Sequence, residues 1–121
     1  TNQFESHPLL RQSKLEDETH NLGMIVTAHS PVARGRIVNN DLLKLIGDKY
    51  GKSPSQVAIR WQLDKPNTML IPKSTRTAGL SENINVFDFS LDDEDRKLIN
   101  SLPNNLRGSR PSFEPKWDSI T

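Results

Sequence analysis

The chain has 121 residues, of which 33% are hydrophobic, and its 16 basic and 15 acidic residues leave a net charge of +1. This length allows one domain with a modest core, and the balanced charge argues against nucleic acid as a partner, because neutralising phosphates needs a basic excess. The absence of cysteine excludes disulfides and thiolate chemistry and fits a reducing compartment, so we expect a cytoplasmic protein. No apolar run is long enough to span a bilayer, so we expect no membrane partner. The first residue is not Met, which suggests a processed, trimmed or incomplete start.

The first third of the chain predicts two strands separated by a helix. Residues 2–5 alternate polar and apolar side chains before a proline, which predicts a short strand. Residues 9–21 are rich in charge and are followed by a glycine, which predicts a helix with a glycine cap. The apolar run 24–28 is typical of a strand in a parallel sheet, and residues 29–38 predict a loop.

The middle of the chain predicts two helices followed by a third strand. Residues 41–50 carry their apolar side chains on one stripe and end at a glycine, which predicts an amphipathic helix. Ser53, Pro54 and Gln56 form a capping-box start for a helix that runs to about Asp64. Residues 68–71 predict the third strand.

The last third predicts helices and a polar tail. Residues 80–89 mix helix-like and turn-like character, and residues 90–93 predict a capping-box start for a helix that ends at Pro103. Strands separated by helices indicate a parallel sheet and an α/β fold. Three strands cannot close a barrel, so both sheet edges stay open, and we expect Phe4, Ile25, Met69 and Ile71, or their alternating neighbours, to face an unfilled interior.

Residues 71–76 combine a strand end with a cluster of cations and hydroxyl groups. Lys73 and Arg76 supply charge, Ser74 and Thr75 supply hydroxyl donors, and a following helix would add backbone N–H groups. This pattern is typical of an anion site. The alternative is a basic loop that is simply solvated.

Four segments in this order resemble the aldo-keto reductase family. They are residues 2–8, residues 26–31, residues 51–61, and residues 71–74 followed by Glu82 and Asn83. The bacterial 2,5-diketo-gluconate reductases are the most similar subgroup, and residues 114–118 resemble their C-terminus. The family fold is a (β/α)8 TIM barrel of roughly 250 residues or more. The resemblance therefore implies that residues 1–121 are the C-terminal part of such a domain, with the last three strands, the surrounding helices and a tail at 104–121.

The resemblance implies reduction of aldehydes or ketones to alcohols with NAD(P)H, with diketo sugar acids among the candidate substrates. No residue matches the family's catalytic Asp, Tyr, Lys and His, so this chain would bind the cofactor without the proton donor and would be inactive alone. Its expected partners are a carbonyl substrate and either the missing N-terminal part or another copy. The alternative is a naturally short, inactive nucleotide-binding or interaction module, and the upstream genomic sequence distinguishes the two.

The resemblance also implies a cofactor site. Its residues would be Gln3, His29, Ser30, Val32, Lys73, Ser74, Arg76, Glu82 and Asn83. Gln3 would hold the nicotinamide carboxamide, His29 would stack on its ring where many members have an aromatic residue, and Ser30 with Val32 would lie in the loop over the pyrophosphate. Residues 82–83 would contact the adenine.

The choice between NADPH and NADH depends on the 2′-phosphate of the adenosine. Lys73 and Ser74 match the family's pair at this phosphate, which implies that NADPH is preferred. The family usually has an arginine six residues after the lysine, but this chain has Gly79. Arg76 could substitute for it, and NADH remains a candidate cofactor.

The histidines and the tail aromatics complete the set of chemically notable side chains. His7, His20 and His29 have neither the spacing nor the cysteine partners of a metal site, so we expect no metal. Phe113 and Trp117 could line a substrate pocket or could pin the tail to the surface.

Overall fold

The computed structural model describes residues 1–116 and has an open, three-stranded parallel sheet at its centre. The strands are β1 (Asn2–Glu5), β2 (Val26–His29) and β3 (Thr68–Ile71), in the order β1-β2-β3. β1 and β3 match the sequence prediction, and β2 begins two residues later than the predicted run. The predicted α/β class with parallel strands is therefore confirmed.

Five helices surround the sheet within the described residues. They are α1 (Ser13–Asn21), α2 (Asp41–Tyr50), α3 (Pro54–Leu63), α4 (Thr77–Ile84) and α5 (Asp93–Asn100), and a 3-10 turn (Ala33–Gly35) lies in the loop after β2. No helix in this part of the chain is long and apolar enough to cross a membrane. The predicted α2 and α3 are confirmed.

Capping residues set the helix ends where the sequence carried a clear signal. Gln56 N–H donates to Ser53 Oγ at 3.2 Å, and Ser53 N–H donates to Gln56 Oε1 at 3.0 Å, which completes the predicted box before α3. The box before α5 lies two residues later than predicted. Asp95 N–H donates to Asp92 Oδ1 at 2.8 Å, so Asp92 is the cap and the helix does not start at residue 90.

The start of α1 was predicted four residues too early. His7 and Leu10 exchange two backbone hydrogen bonds, of 3.2 and 2.8 Å, that close a tight turn directly after β1. These bonds occupy backbone groups that a helix from residue 9 would need, so α1 begins at Ser13. In the mixed segment 80–89, the helix α4 takes the first part and ends at Ile84.

The main core lies among α2, α3, α5 and the loop after β2. Its residues are Ala33, Ile37, Leu43, Ile46, Val57, Ala58, Trp61, Leu91 and Ile99. Gly47 allows the close approach at the end of α2, because a Cβ there would lie 2.2 Å from the Lys52 carbonyl oxygen. The core therefore stabilises the helices on one side of the sheet and contributes nothing to the other face.

The sheet has one buried and one open face. Phe4 pairs with Ala28 in the register and both are buried, so the expectation that Phe4 faces an unfilled interior was wrong. Met69 and Ile71 lie on the opposite face and are 49% and 45% exposed. Ile25, just before β2, is 48% exposed. Among the described residues no strand pairs with the outer edges of β1 and β3, so the sheet is open on one face and at both edges.

Candidate cofactor and substrate site

The carboxyl ends of the three strands bring the predicted site segments to one edge of the sheet. Glu5, His29 and Ile71 lie side by side in the register. The loops that follow them contain residues 30–32 and 73–76, which were predicted to bind a cofactor. Ligand sites in parallel α/β folds lie at this edge.

Gln3 and His29, the two residues predicted to contact the nicotinamide, lie on the open face of the sheet. Gln3 is exposed and, by strand alternation, lies on the same open face as His29. His29 is half-buried, and its Nδ1 lies 3.1 Å from Ser30 Oγ. Burial lowers the pKa of His29, and the positive charges of Arg34 and Arg107 lower it further against the opposing effect of Glu5. The imidazole is therefore neutral at neutral pH and can present a ring face.

The loop after β2 is held by a buried glutamine. Ser30 has a positive φ of 52°, which residues other than glycine adopt rarely. Gln62 is fully buried in α3 and donates from Nε2 to the Pro31 carbonyl oxygen at 3.2 Å. Val32 packs against the core and is half-buried. A ligand at this loop would therefore meet its backbone and Ser30 more readily than the side chain of Val32.

The segment between β3 and α4 exposes its cations before a helix N-terminus. Lys73 and Arg76 are both exposed. Ser74 Oγ accepts from Arg76 N–H at 3.2 Å and donates to the Arg76 carbonyl oxygen at 3.0 Å, which shapes the turn into α4. The N-cap residue of this helix is Arg76, whose side chain makes no capping hydrogen bond. The predicted combination of cations, a hydroxyl and a following helix is therefore present.

Gly79 packs directly against Ser74. A Cβ at position 79 would lie 2.2 Å from Ser74 Oγ, and Gly79 is buried in α4. An arginine at this position would displace Ser74 from its two hydrogen bonds with Arg76. The replacement of the family's usual arginine by glycine is therefore coupled to the conformation of the loop ahead of α4.

Glu82 and Asn83 lie on α4, and Glu82 already has structural partners. Its carboxylate accepts a hydrogen bond from Ser53 Oγ, and its carbonyl oxygen accepts one from Gln56 Nε2 at 3.1 Å. These bonds connect α4 to the start of α3. Asn83 is half-buried. Their role at an adenine remains a prediction, and Glu82 has a structural role in addition.

Sequence reasoning missed Glu5, which is a buried carboxylate at the edge of the site. Glu5 is 3% exposed, and its Oε1 lies 3.2 Å from His7 Nε2. Leu9 N–H donates to His7 Nδ1, so the imidazole proton lies on Nε2 and points to Glu5. The carboxylate also accepts from the backbone N–H groups of Gly108 at 2.9 Å and Ser109 at 3.0 Å. The available signal was an acidic residue inside a short strand, where a charge needs a partner.

These contacts predict a defined pH dependence of stability. Burial raises the pKa of Glu5, but the hydrogen bonds from His7, Gly108 and Ser109 outweigh it and lower this pKa from 4.5 to about 2. A lowered pKa means that the stabilisation is fully present above pH 4.5 and is lost as the pH falls towards 2. We expect Glu5→Gln to lower the free energy of unfolding by about 1–3 kcal/mol at neutral pH. This difference should shrink through that window in urea unfolding of the protein expressed from its complete reading frame, and a constant difference would contradict the linkage.

The tail leaves its aromatic side chain in solvent. Phe113 is 86% exposed, and its role as pocket lining or as surface anchor stays a prediction. Trp117, the second residue predicted there, lies outside the described residues. Within residues 1–116 no group of three His, Cys, Asp or Glu side chains is arranged to hold a metal ion.

Fold and site together define part of a parallel α/β barrel with exposed cationic side chains at its carboxyl edge. The model of the aldo/keto reductase family matches residues 1–104. The chain belongs to this family, as the sequence predicted.

The relatives show how much of the family's length the chain represents. It is 41% identical over 113 residues to aldose reductase B of Dictyostelium discoideum, covering 92% of this chain and 36% of that protein. A crystal structure described as a 2,5-diketo-D-gluconic acid reductase B matches with a TM-score of 0.92 and 35% identity, over 98% of this chain and 43% of that one. A Gox0644 mutant in complex with NADPH matches with a TM-score of 0.79 and 32% identity, and the match covers 84% of this chain and 37% of that one. The chain thus spans well under half of the proteins it matches.

Proposed function

We propose that this chain is the C-terminal, cofactor-holding part of an NADPH-dependent aldo-keto reductase that converts aldehydes or ketones to alcohols. The observation that carries the proposal is the shared sheet edge, where the ends of β2 and β3 bring His29 and the Lys73 loop together, with Gln3 on the same face of β1 two residues before its end. The family membership and the NADPH complex among the matching structures support it. We place the protein in the cytoplasm, which agrees with its lack of cysteine.

The described residues fit a dinucleotide in three ways. The exposed amide of Gln3 offers both a donor and an acceptor to a carboxamide. His29 offers a neutral ring, and Lys73 with Arg76 offers two exposed cations beside the N-terminus of α4. When bound, a reduced nicotinamide supplies the hydride for carbonyl reduction. This chain's residues would bind and orient it, and the proton donor would come from the N-terminal part.

The substrate is proposed as a small carbonyl compound, and diketo sugar acids are the first class to test. The similarity to the structure described as a 2,5-diketo-D-gluconic acid reductase B favours them. A panel of diketo sugar acids, aromatic aldehydes and short aliphatic aldehydes should be assayed by NADPH consumption. The protein from the complete reading frame should reduce at least one of these classes, and no turnover with any of them would contradict the proposed activity.

Lys73→Ala should weaken NADPH binding far more than NADH binding. Removing a charge-assisted contact to the 2′-phosphate costs about 1.5–3 kcal/mol, or roughly 10- to 150-fold in Kd. NADH has no such phosphate and should lose much less affinity. Fluorescence titration of both cofactors measures this selectivity in the protein from the complete reading frame.

Two further variants make this test specific. Arg76→Ala should show the same selectivity in weaker form if Arg76 replaces the arginine missing at position 79. Lys97→Ala removes an equally exposed lysine from α5 and should leave both affinities unchanged. Equal losses for NADPH and NADH in Lys73→Ala would exclude Lys73 from the phosphate site.

A second function is a naturally short module that binds a nucleotide or a partner without catalysis. It is kept as the alternative because the chain covers only 36% of aldose reductase B and 43% of the matching crystal structure. The upstream genomic sequence decides between the two. A reading frame that continues into strands with the family's Asp, Tyr, Lys and His supports the reductase, and a genuine start codon beside Thr1 supports the short module.

A further inference from the structure

We propose that Glu5 is a positioning residue that anchors the C-terminal tail, residues 104–116, at the carboxyl edge of the sheet and thereby shapes the substrate opening. The effect on substrate rests on the proposed carbonyl reduction. The anchor itself rests only on contacts among described residues.

The anchor is the buried carboxylate of Glu5, which accepts hydrogen bonds from two segments of the chain. Oε1 of Glu5 accepts from Gly108 N–H at 2.9 Å and lies 3.2 Å from His7 Nε2. Oε2 accepts from Ser109 N–H at 3.0 Å and lies 3.1 Å from the Gly108 nitrogen. Hydrogen bonds to an ionised acceptor are roughly twice as strong as neutral ones. Two consecutive tail amides are therefore held by one charge that is almost completely shielded from water.

Gly108 is adapted to this contact. A Cβ at position 108 would lie 2.7 Å from Glu5 Oε1, closer than real Cβ atoms approach such an atom. A side chain at position 108 would require the carboxylate end of Glu5 to shift away from its present hydrogen bonds. The close approach gives a second way to break the anchor without removing the charge.

The tail is attached at its start by separate contacts. Leu106 N–H donates to the Leu9 carbonyl oxygen at 3.0 Å, and the Arg107 guanidinium donates to Gln12 Oε1 at 3.0 Å. Losing the Glu5 anchor should therefore free the tail from residue 108 onward and leave residues 104–107 in place. Beyond Ser109 the side chains of Arg110 and Phe113 are exposed.

The position of the anchor connects it to the site. Glu5 is the register partner of His29, so the tail crosses the sheet edge beside the ring proposed to face the nicotinamide. A carbonyl substrate has to approach the same place. Moving the tail should therefore change how substrate is held, while the cations at Lys73 and Arg76 lie on the loop after β3 and should keep their contribution to cofactor affinity.

The test uses Glu5→Gln and Gly108→Ala in the protein expressed from its complete reading frame. We expect the amide hydrogens of residues 108 and 109 to exchange at least about 10-fold faster in both variants, because a charge-assisted acceptor is weakened or displaced. The KM for the best carbonyl substrate should rise about 5- to 30-fold, with kcat and the Kd for NADPH within about 3-fold of wild type. Glu94→Gln, at an exposed position in the first turn of α5, is the matched control and should change none of these quantities.

The possible results test the anchor and the proposed activity separately. Unchanged exchange at residues 108 and 109 in both variants overturns the anchor. Faster exchange with an unchanged KM overturns the positioning role and leaves a structural contact only. If Glu5→Gln does not fold, Gly108→Ala decides whether the anchor exists. This variant changes only the tail and keeps the buried carboxylate. If the wild type reduces no carbonyl compound, the proposed function fails, while the exchange experiment still decides the anchor.

Discussion

The 121-residue chain alone should reduce carbonyl compounds at least about 10²- to 10⁴-fold more slowly than the protein from a complete, barrel-length reading frame, because general acid catalysis contributes a factor of this size. No residue of this chain matches the family's catalytic Asp, Tyr, Lys or His. Loss of correct orientation in an incomplete site should reduce turnover further. NADPH consumption by equimolar amounts of the two proteins, with an aromatic aldehyde and a diketo sugar acid, measures the ratio.

Tyr50 is the control for this prediction, since it is the only tyrosine in the chain. Its hydroxyl donates to the Asp95 carboxylate and its ring lies 5.5 Å from that of Phe89, so it connects α2 to α5. The hydrogen bond to Asp95 raises the pKa of Tyr50. These contacts give Tyr50 a packing role away from the strand ends. Turnover by the isolated chain that Tyr50→Phe abolishes would contradict both this role and the predicted inactivity.

Local signals were sufficient for most of the secondary structure. The capping box at Ser53 and the glycine at position 51, which has a positive φ of 66°, fixed the ends of α2 and α3 because both act over a few residues. The start of α1 was wrong because the bridge between His7 and Leu10 depends on how the chain leaves β1. The face of Phe4 was wrong because four-residue strands give too short an alternation to assign a side from sequence.

The grouping of the candidate site residues could be predicted where it depends on strand ends. It could not be predicted where it depends on contacts between residues far apart in the sequence. Parallel strands necessarily bring residues 29–32 and 73–76 to one edge, so the motif positions were enough to group them. The contact between Glu5 and Ser109 joins residues 104 positions apart, and no local pattern encodes it. The collision between position 79 and Ser74 likewise depends on the turn before α4 and was visible only in three dimensions.

The isolated chain should also fail to behave as a well-folded monomer. Its core covers only the helix side of the sheet, and the other face leaves Met69 and Ile71 about half exposed. The outer edges of β1 and β3 carry backbone N–H and C=O groups without a neighbouring strand in the described residues. Open edges beside apolar surface favour pairing with another chain. We therefore expect self-association, docking to the N-terminal part, or a molten state that binds hydrophobic dyes.

A surface variant tests whether the open face is the cause. Ile71→Lys places a charge on this face at the end of β3, where lysine opposes strand pairing, and should reduce the associated fraction several-fold. Leu45→Lys makes the same change at an exposed position of α2 and should leave association unchanged. Light scattering behind a sizing column, together with a thermal melt, measures both. A sharp cooperative melt from a strictly monomeric species would contradict the prediction, since it would mean that the helix-side core alone outweighs the open face and the two free edges.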